Sequence, residues 1–151
     1  MTLADLDLSP TAHAAAAALL AAHPDVVFTS GRRDLAAQAR AMASNVVHNR
    51  DWIAQTYTDT SQRAALQTCV NGCAAGAAQA VYAAALLDTM DGWNDLALAH
   101  VSKHLSGDAF DVQPVAGPAG EAIEATIRGL PGLTRFLDRE GGLIRWHAQF
   151  A

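Results

Sequence analysis

The stretch VSKHLSGDAFDVQP, Val101–Pro114, divides the chain into two kinds of sequence. Upstream of it, Ala-rich segments with polar ends read as helices, because Ala has the highest helix propensity. At its end, DAFDVQPV, running on to Val115, alternates small or apolar residues with polar ones, the period of a strand. Helices dominate the first two thirds, and strands are few and late. That pattern predicts an α+β fold, helix-rich, with a small antiparallel sheet. The same stretch sets His104 seven residues before Asp111 with Gly107 between them. Either these polar residues serve a turn, or His104 and Asp111 hold one ion.

Working outward, Ser9-Pro10 predicts an N-cap followed by Pro at the first helical position, with the helix running to about Ala22. VVFTSG, Val26–Gly31, is a β-branched run closed by Gly and reads as a strand. RDLAAQARAMASNVVHN is helical, with Asp34 where its charge suits the helix dipole. DWIAQTYTDTS is a break, after which Thr60 or Ser61 caps a long helix from Gln62 to Met90, with Gly72 and Gly76 as weak points. A short helix is expected over Leu96–His100, and another over GPAGEAIEATIRGL. PGLTRFLDREGG connects this to a last strand, LIRWHAQF. One domain over 1–151 is expected, with a helical stretch at about 34–100.

Composition narrows the function classes. The 151 residues suffice for a core without disulfide staples. Net charge is −5, and nine arginines and one lysine form no basic stripe, which argues against nucleic acid. No apolar run reaches the roughly 18–20 residues that span a bilayer. No basic segment precedes TAHAAAAALLAAH, so it reads as a helix rather than a signal peptide, and a cytoplasmic, monomeric protein is expected. Cys69 and Cys73, four apart, read as small apolar residues on one helix face. His100 and His104 are also four apart, but the helix is expected to end before Ser102, which leaves His100 either behind a ligand or at the surface.

Three pieces then form a constellation. SKHLSGDAFD offers His104 and Asp111, RWHAQF places His147 on the terminal strand beside Trp146, and FTSGRRDLAAQ puts Arg33 and Gln38 just past an early strand. Two imidazoles and one carboxylate suit zinc and leave a position open for water, as a catalytic zinc requires.

SKHLSGDAFD resembles the S-x-H-x-x-G-x-A-x-D signature of the zinc D-Ala-D-Ala peptidases, a group that includes D,D-carboxypeptidases, D,D-dipeptidases and phage L-alanyl-D-glutamate endopeptidases. All five fixed positions are filled, by Ser102, His104, Gly107, Ala109 and Asp111. SGRRDLAAQ resembles the S-G-Y-R-S-x-x-x-Q segment of that family, with Arg32 in the aromatic place, and the terminal WH resembles its final ligand motif. The likeness covers about 30 residues in three blocks of the same order, and Met42–Ala99 has no counterpart in it. It implies that His104, Asp111 and His147 bind Zn2+, and that Arg33 steadies a carboxylate or oxyanion of the substrate. It further implies Ser102 hydrogen-bonded near the site, Gly107 turning the chain between two ligands, Gln38 close by, and Trp146 as an apolar wall beside the metal.

One departure from the pattern stands out. Many members carry a general-base Glu three residues before the last His, and here that position is Ile144. Relatives with a His two residues before have no match either, since that position is Arg145. Of the three glutamates, Glu121, Glu124 and Glu140, the expected base is Glu140, provided that the Gly141-Gly142 loop folds inward. A two-residue hairpin there would instead hold Glu140 about 13 Å from His147 along the strand. The resemblance implies a peptidoglycan hydrolase of the endolysin type, cutting stem-peptide bonds, L-Ala–D-Glu first and D-Ala–D-Ala as the alternative. Such an enzyme would wait in the host cytoplasm and reach the wall after the membrane opens. The empty base position motivates a different class, a zinc- or peptide-binding module without catalysis.

Overall fold

LIRWHAQF is a strand over its whole length, and the sheet is built on it. The computed structural model describes residues 1–151, and the chain divides into two compact units, Met1–Arg32 with Ser106–Ala151, and Arg33–Leu105. In the first unit, strands β1 (Phe28–Ser30), β2 (Ala109–Val112), β3 (Leu133–Glu140) and β4 (Leu143–Phe150) form one antiparallel sheet in the order β1-β2-β4-β3. Helices α1 (Pro10–Ala22) and α7 (Gly117–Arg128) pack on it. The seven helices and this small sheet make the α+β fold that the sequence predicts.

Strand alternation decides which side chains meet those helices. Phe110 and Val112 of β2 join Trp146, Ala148 and Phe150 of β4 in one core with Leu19 of α1 and with Ile123 and Ile127 of α7. Phe110 lies edge-on to Phe28 at 5.3 Å and stacks on Phe150 at 5.1 Å, both in the range of favourable aromatic pairs. The intervening residues, Asp111, His147 and Gln149, therefore project from the other face of the sheet. This corrects the expectation for Trp146. It is 4% exposed in the core. Because it precedes His147 by one residue on a regular stretch of strand, it points away from that side chain.

β3 is an edge strand where the sequence suggests only a connection. Its half-buried Leu133, Phe136 and Leu137 are interrupted by exposed Thr134, Arg135, Asp138 and Arg139, so no clean alternation shows. Charged residues are what an edge strand carries to discourage pairing with other chains. The turn into β4 is Gly141-Gly142 with φ of 56° and 80°, a mirror-image hairpin turn that only Gly-like residues adopt readily.

The second unit is helical: α2 (Leu35–Val46), α3 (Trp52–Thr56), α4 (Ser61–Gly72), α5 (Gln79–Met90) and α6 (Asp95–Ala99). Asp34 caps α2 by accepting from the Ala37 N–H at 2.7 Å, and Thr60 caps α4 by accepting from the Arg63 N–H at 3.1 Å. Its core gathers Met42, Val46, Trp52, Ile53, Leu66, Val70, Leu86 and Met90. The single helix expected over Gln62–Met90 is two helices. The Arg50 guanidinium takes the orphan carbonyls at the end of α4, Val70 at 3.1 Å, Asn71 at 3.0 Å and Cys73 at 2.6 Å, and reaches the Tyr82 hydroxyl of α5 at 3.2 Å. That satisfied terminus competes with a continuous helix, and nothing in the local pattern of residues 61–90 announces a partner twenty residues upstream. Cys69 and Cys73 pack partly buried against this core, and burial pushes the Cys69 thiol upward. No helix is long and apolar enough to cross a membrane.

Arg50→Ala leaves several carbonyls unpaired and is expected to destabilise the protein by about 2–3 kcal/mol, the cost typical of lost charge-assisted bonds. Arg50→Lys should recover less than half of that, since an ammonium cannot fork between three acceptors. Guanidinium denaturation followed by far-UV circular dichroism reads both.

Candidate metal site

The sheet register assembles the site. Ser30 of β1 pairs with Asp111 of β2, and Asp111 pairs with His147 of β4, so the three lie in a row across adjacent strands. Directly opposed residues on one face bring their Cβ atoms to about 4.5–5.5 Å, near enough for side chains to bond. The Ser30 hydroxyl donates to Asp111 Oδ2 at 2.6 Å, and His147 Nδ1 lies 2.8 Å from Asp111 Oδ1. Gln149, two residues beyond His147 on the same face, places its amide nitrogen 2.9 Å from His147 Nε2.

His104 stands in a turn seven residues before Asp111. The Ser102 hydroxyl accepts from the His104 N–H at 3.2 Å, a local turn bond. Gly107 then takes φ of 79°, where a side chain would be strained. A Cβ there would also meet Arg32 Nη2 at 2.7 Å. The positive φ is what calls for glycine here, and the Arg32 guanidinium lies over it. Arg32 Nε bonds the Asp7 carbonyl at 2.9 Å and pairs with the Asp7 carboxylate at 2.9 Å.

His104, Asp111 and His147 offer ligand atoms that all lie within 4.8 Å of one another. This group could hold a metal ion. Ligands of a tetrahedral divalent ion, bonded at roughly 2.0–2.2 Å, stand about 3.3–3.6 Å apart, so the three need only small movements to share one. His104 is 2% exposed and His147 5% exposed. Two buried imidazoles and a half-buried carboxylate, already oriented by neighbours, are a donor set that suits a divalent transition metal. Of the two His147 nitrogens, Nδ1 is the one aimed at Asp111, and so it is the ligand candidate.

The other expected residues divide. Arg33 donates its backbone N–H to the His104 carbonyl at 3.0 Å, which makes it a neighbour of the first ligand, and its Nη1 donates to Gln38 Oε1 at 3.4 Å. Gln38 is 1% exposed and donates to the Tyr57 hydroxyl at 3.3 Å, so it serves as a buried prop for the guanidinium. Glu140 is not brought to the group. It pairs with Leu143 across the Gly141-Gly142 turn, while His147 pairs with Leu137. The loop does not fold inward, and four residues of strand hold the Glu140 backbone about 13 Å from His147. His100 caps α6 and is exposed. His23 is half-buried and bonds the Thr126 hydroxyl through Nε2 at 2.7 Å.

Ser30 and Gln149 are contacts that the sequence reading missed. Two-residue spacing from His147 in a strand was a usable signal for Gln149, whereas Ser30 required knowing that β1 neighbours β2. Comparison with protein-family models, with curated proteins and with solved structures gives no match.

Titration with Zn2+ as a probe is expected to find one site per chain. His104→Ala and Asp111→Asn should each weaken it by at least about 100-fold, and Ser30→Ala, which only loosens the carboxylate, by about 10-fold. Competition against a chromophoric chelator measures all three.

Proposed function

We propose that the protein is a zinc-dependent peptidase acting on peptidoglycan stem peptides. What carries this reading is one convergence. The three residues assigned as ligands from the signature and the terminal WH, spread from position 104 to 147, have ligand atoms within 4.8 Å. His104, Asp111 and His147 would hold the ion. Zinc bound there would supply Lewis acidity to a substrate carbonyl and lower the pKa of water at its open position.

The chain's own residues supply the rest. Ser30 fixes Asp111, so the carboxylate presents a chosen oxygen rather than rotating. The Arg33 guanidinium, steadied by Gln38, offers donors in a rigid fork suited to a substrate carboxylate or a developing oxyanion. The Ser102 hydroxyl holds the turn that presents His104. Stem peptides carry free carboxylates on their D-residues, which is the chemistry that a guanidinium recognises. L-Ala–D-Glu is the first bond proposed and D-Ala–D-Ala the alternative, in an endolysin-type setting where a monomer meets peptidoglycan once the membrane is open.

A second reading is favoured by the position of Glu140. With Glu140 held in the hairpin and Ile144 and Arg145 at the positions where relatives carry a base, the row of residues on the sheet contains no free carboxylate. The same metal group would then serve a peptide-binding module.

Turbidity of permeabilised Gram-negative cells should fall with the protein and hold steady when a chelator is added, and mass spectrometry of digested muropeptides then names the bond. Arg33→Lys is expected to cut kcat/KM by about 100-fold. Glu140→Ala should digest at the parent rate, and a collapse of activity would return the base role to Glu140. Zinc binding without any muropeptide product would favour the binding module.

A further inference from the structure

The contacts around His147, with Gln149 Nε2 placed toward the ring, match one ring tautomer. An amide nitrogen only donates, so Gln149 Nε2, 2.9 Å from His147 Nε2, makes that ring nitrogen the acceptor. The proton is then on Nδ1, which donates to Asp111 Oδ1 at 2.8 Å. Asp111 Oδ2 accepts from Ser30 at 2.6 Å. Ser30, Asp111, His147 and Gln149 thus form one self-consistent chain of bonds, each donor matched to an acceptor.

A metal at Nδ1 reverses this chain. Nδ1 must offer its lone pair, so a neutral ring must carry its single proton on Nε2 instead. Nε2–H is then a donor facing another donor, which is untenable at 2.9 Å. A half-turn of the Gln149 amide removes the conflict, because it presents Oε1 to Nε2–H. The ring keeps one proton throughout. Glutamine is suited to this because its two ends are nearly the same shape and opposite in hydrogen-bonding sense.

We propose that Gln149 is the positioning residue for His147, donating to Nε2 in the metal-free protein and accepting from Nε2–H once Nδ1 binds a metal. The proposal rests on the metal reading of the site. It predicts that an acceptor is what the loaded site requires at position 149. Gln149→Glu, which can only accept, should bind Zn2+ at least as tightly as the parent. Gln149→Met, of similar length and unable to bond, should bind about 10–100-fold more weakly.

The test pairs chelator competition with long-range 1H–15N spectra of the His147 ring, with and without Zn2+. The parent should show the Nδ1–H form without metal and the Nε2–H form with it. Parent-like affinity in Gln149→Met, or the Nε2–H form in the metal-free parent, overturns the role of Gln149 while leaving the metal site intact. A parent that binds no Zn2+ overturns both. Should Gln149→Met fail to fold, the parent spectra and the Gln149→Glu affinity still decide.

Discussion

The pairing of Asp111 with His147 across β2 and β4 is the contact on which the rest depends. It is a register statement before it is a chemical one. Slipping β4 by one residue would turn Trp146, Ala148 and Phe150 outward and bury His147 against Phe110, Ile123 and Ile127. The apolar face therefore enforces the polar one. Phe110, Val112, Trp146, Ala148 and Phe150 hold the strands in the alignment that sets a carboxylate 2.8 Å from an imidazole.

That alignment carries an energetic demand. Burying a carboxylate and imidazoles is costly unless each polar atom is bonded. Here Ser30 and His147 take the two Asp111 oxygens, and Gln149 takes the far nitrogen of His147. Folding can thus precede metal binding, because the site satisfies itself through its own bonds. A bound ion would exchange the Asp111–His147 hydrogen bond for two coordination bonds, with ligand atoms that lie within 4.8 Å of one another closing to about 3.3–3.6 Å. A site prepared in this way loses little entropy on loading, which is what positions a metal reproducibly.

Much of this was legible in the sequence, for identifiable reasons. α1, α2, α7 and β4 came from caps, Pro and Gly placement and periodicity, all of them local signals. His104, Asp111 and His147 came from a five-position signature and a terminal WH. What the sequence hid was set by distant partners. β3 looked like a connection because its charged edge breaks the alternation. The break between α4 and α5 depends on Arg50, outside both helices. The resemblance sets Trp146 beside the metal, but neighbours on a strand face opposite ways, and Trp146 lies in the core instead. Glu140 failed for a related reason, since Gly141-Gly142 makes the tight hairpin that keeps it at the end of the sheet.

X-ray absorption at the zinc edge tests the central claim most directly, because it counts ligands, separates sulfur from nitrogen and oxygen, and recognises imidazole by its outer-shell scattering. For protein loaded with one equivalent of Zn2+, the account predicts two imidazole nitrogens and an oxygen-rich remainder, with no sulfur, and loss of one imidazole in His147→Ala. A sulfur shell from Cys69 or Cys73, or an unchanged spectrum in His147→Ala, would contradict it.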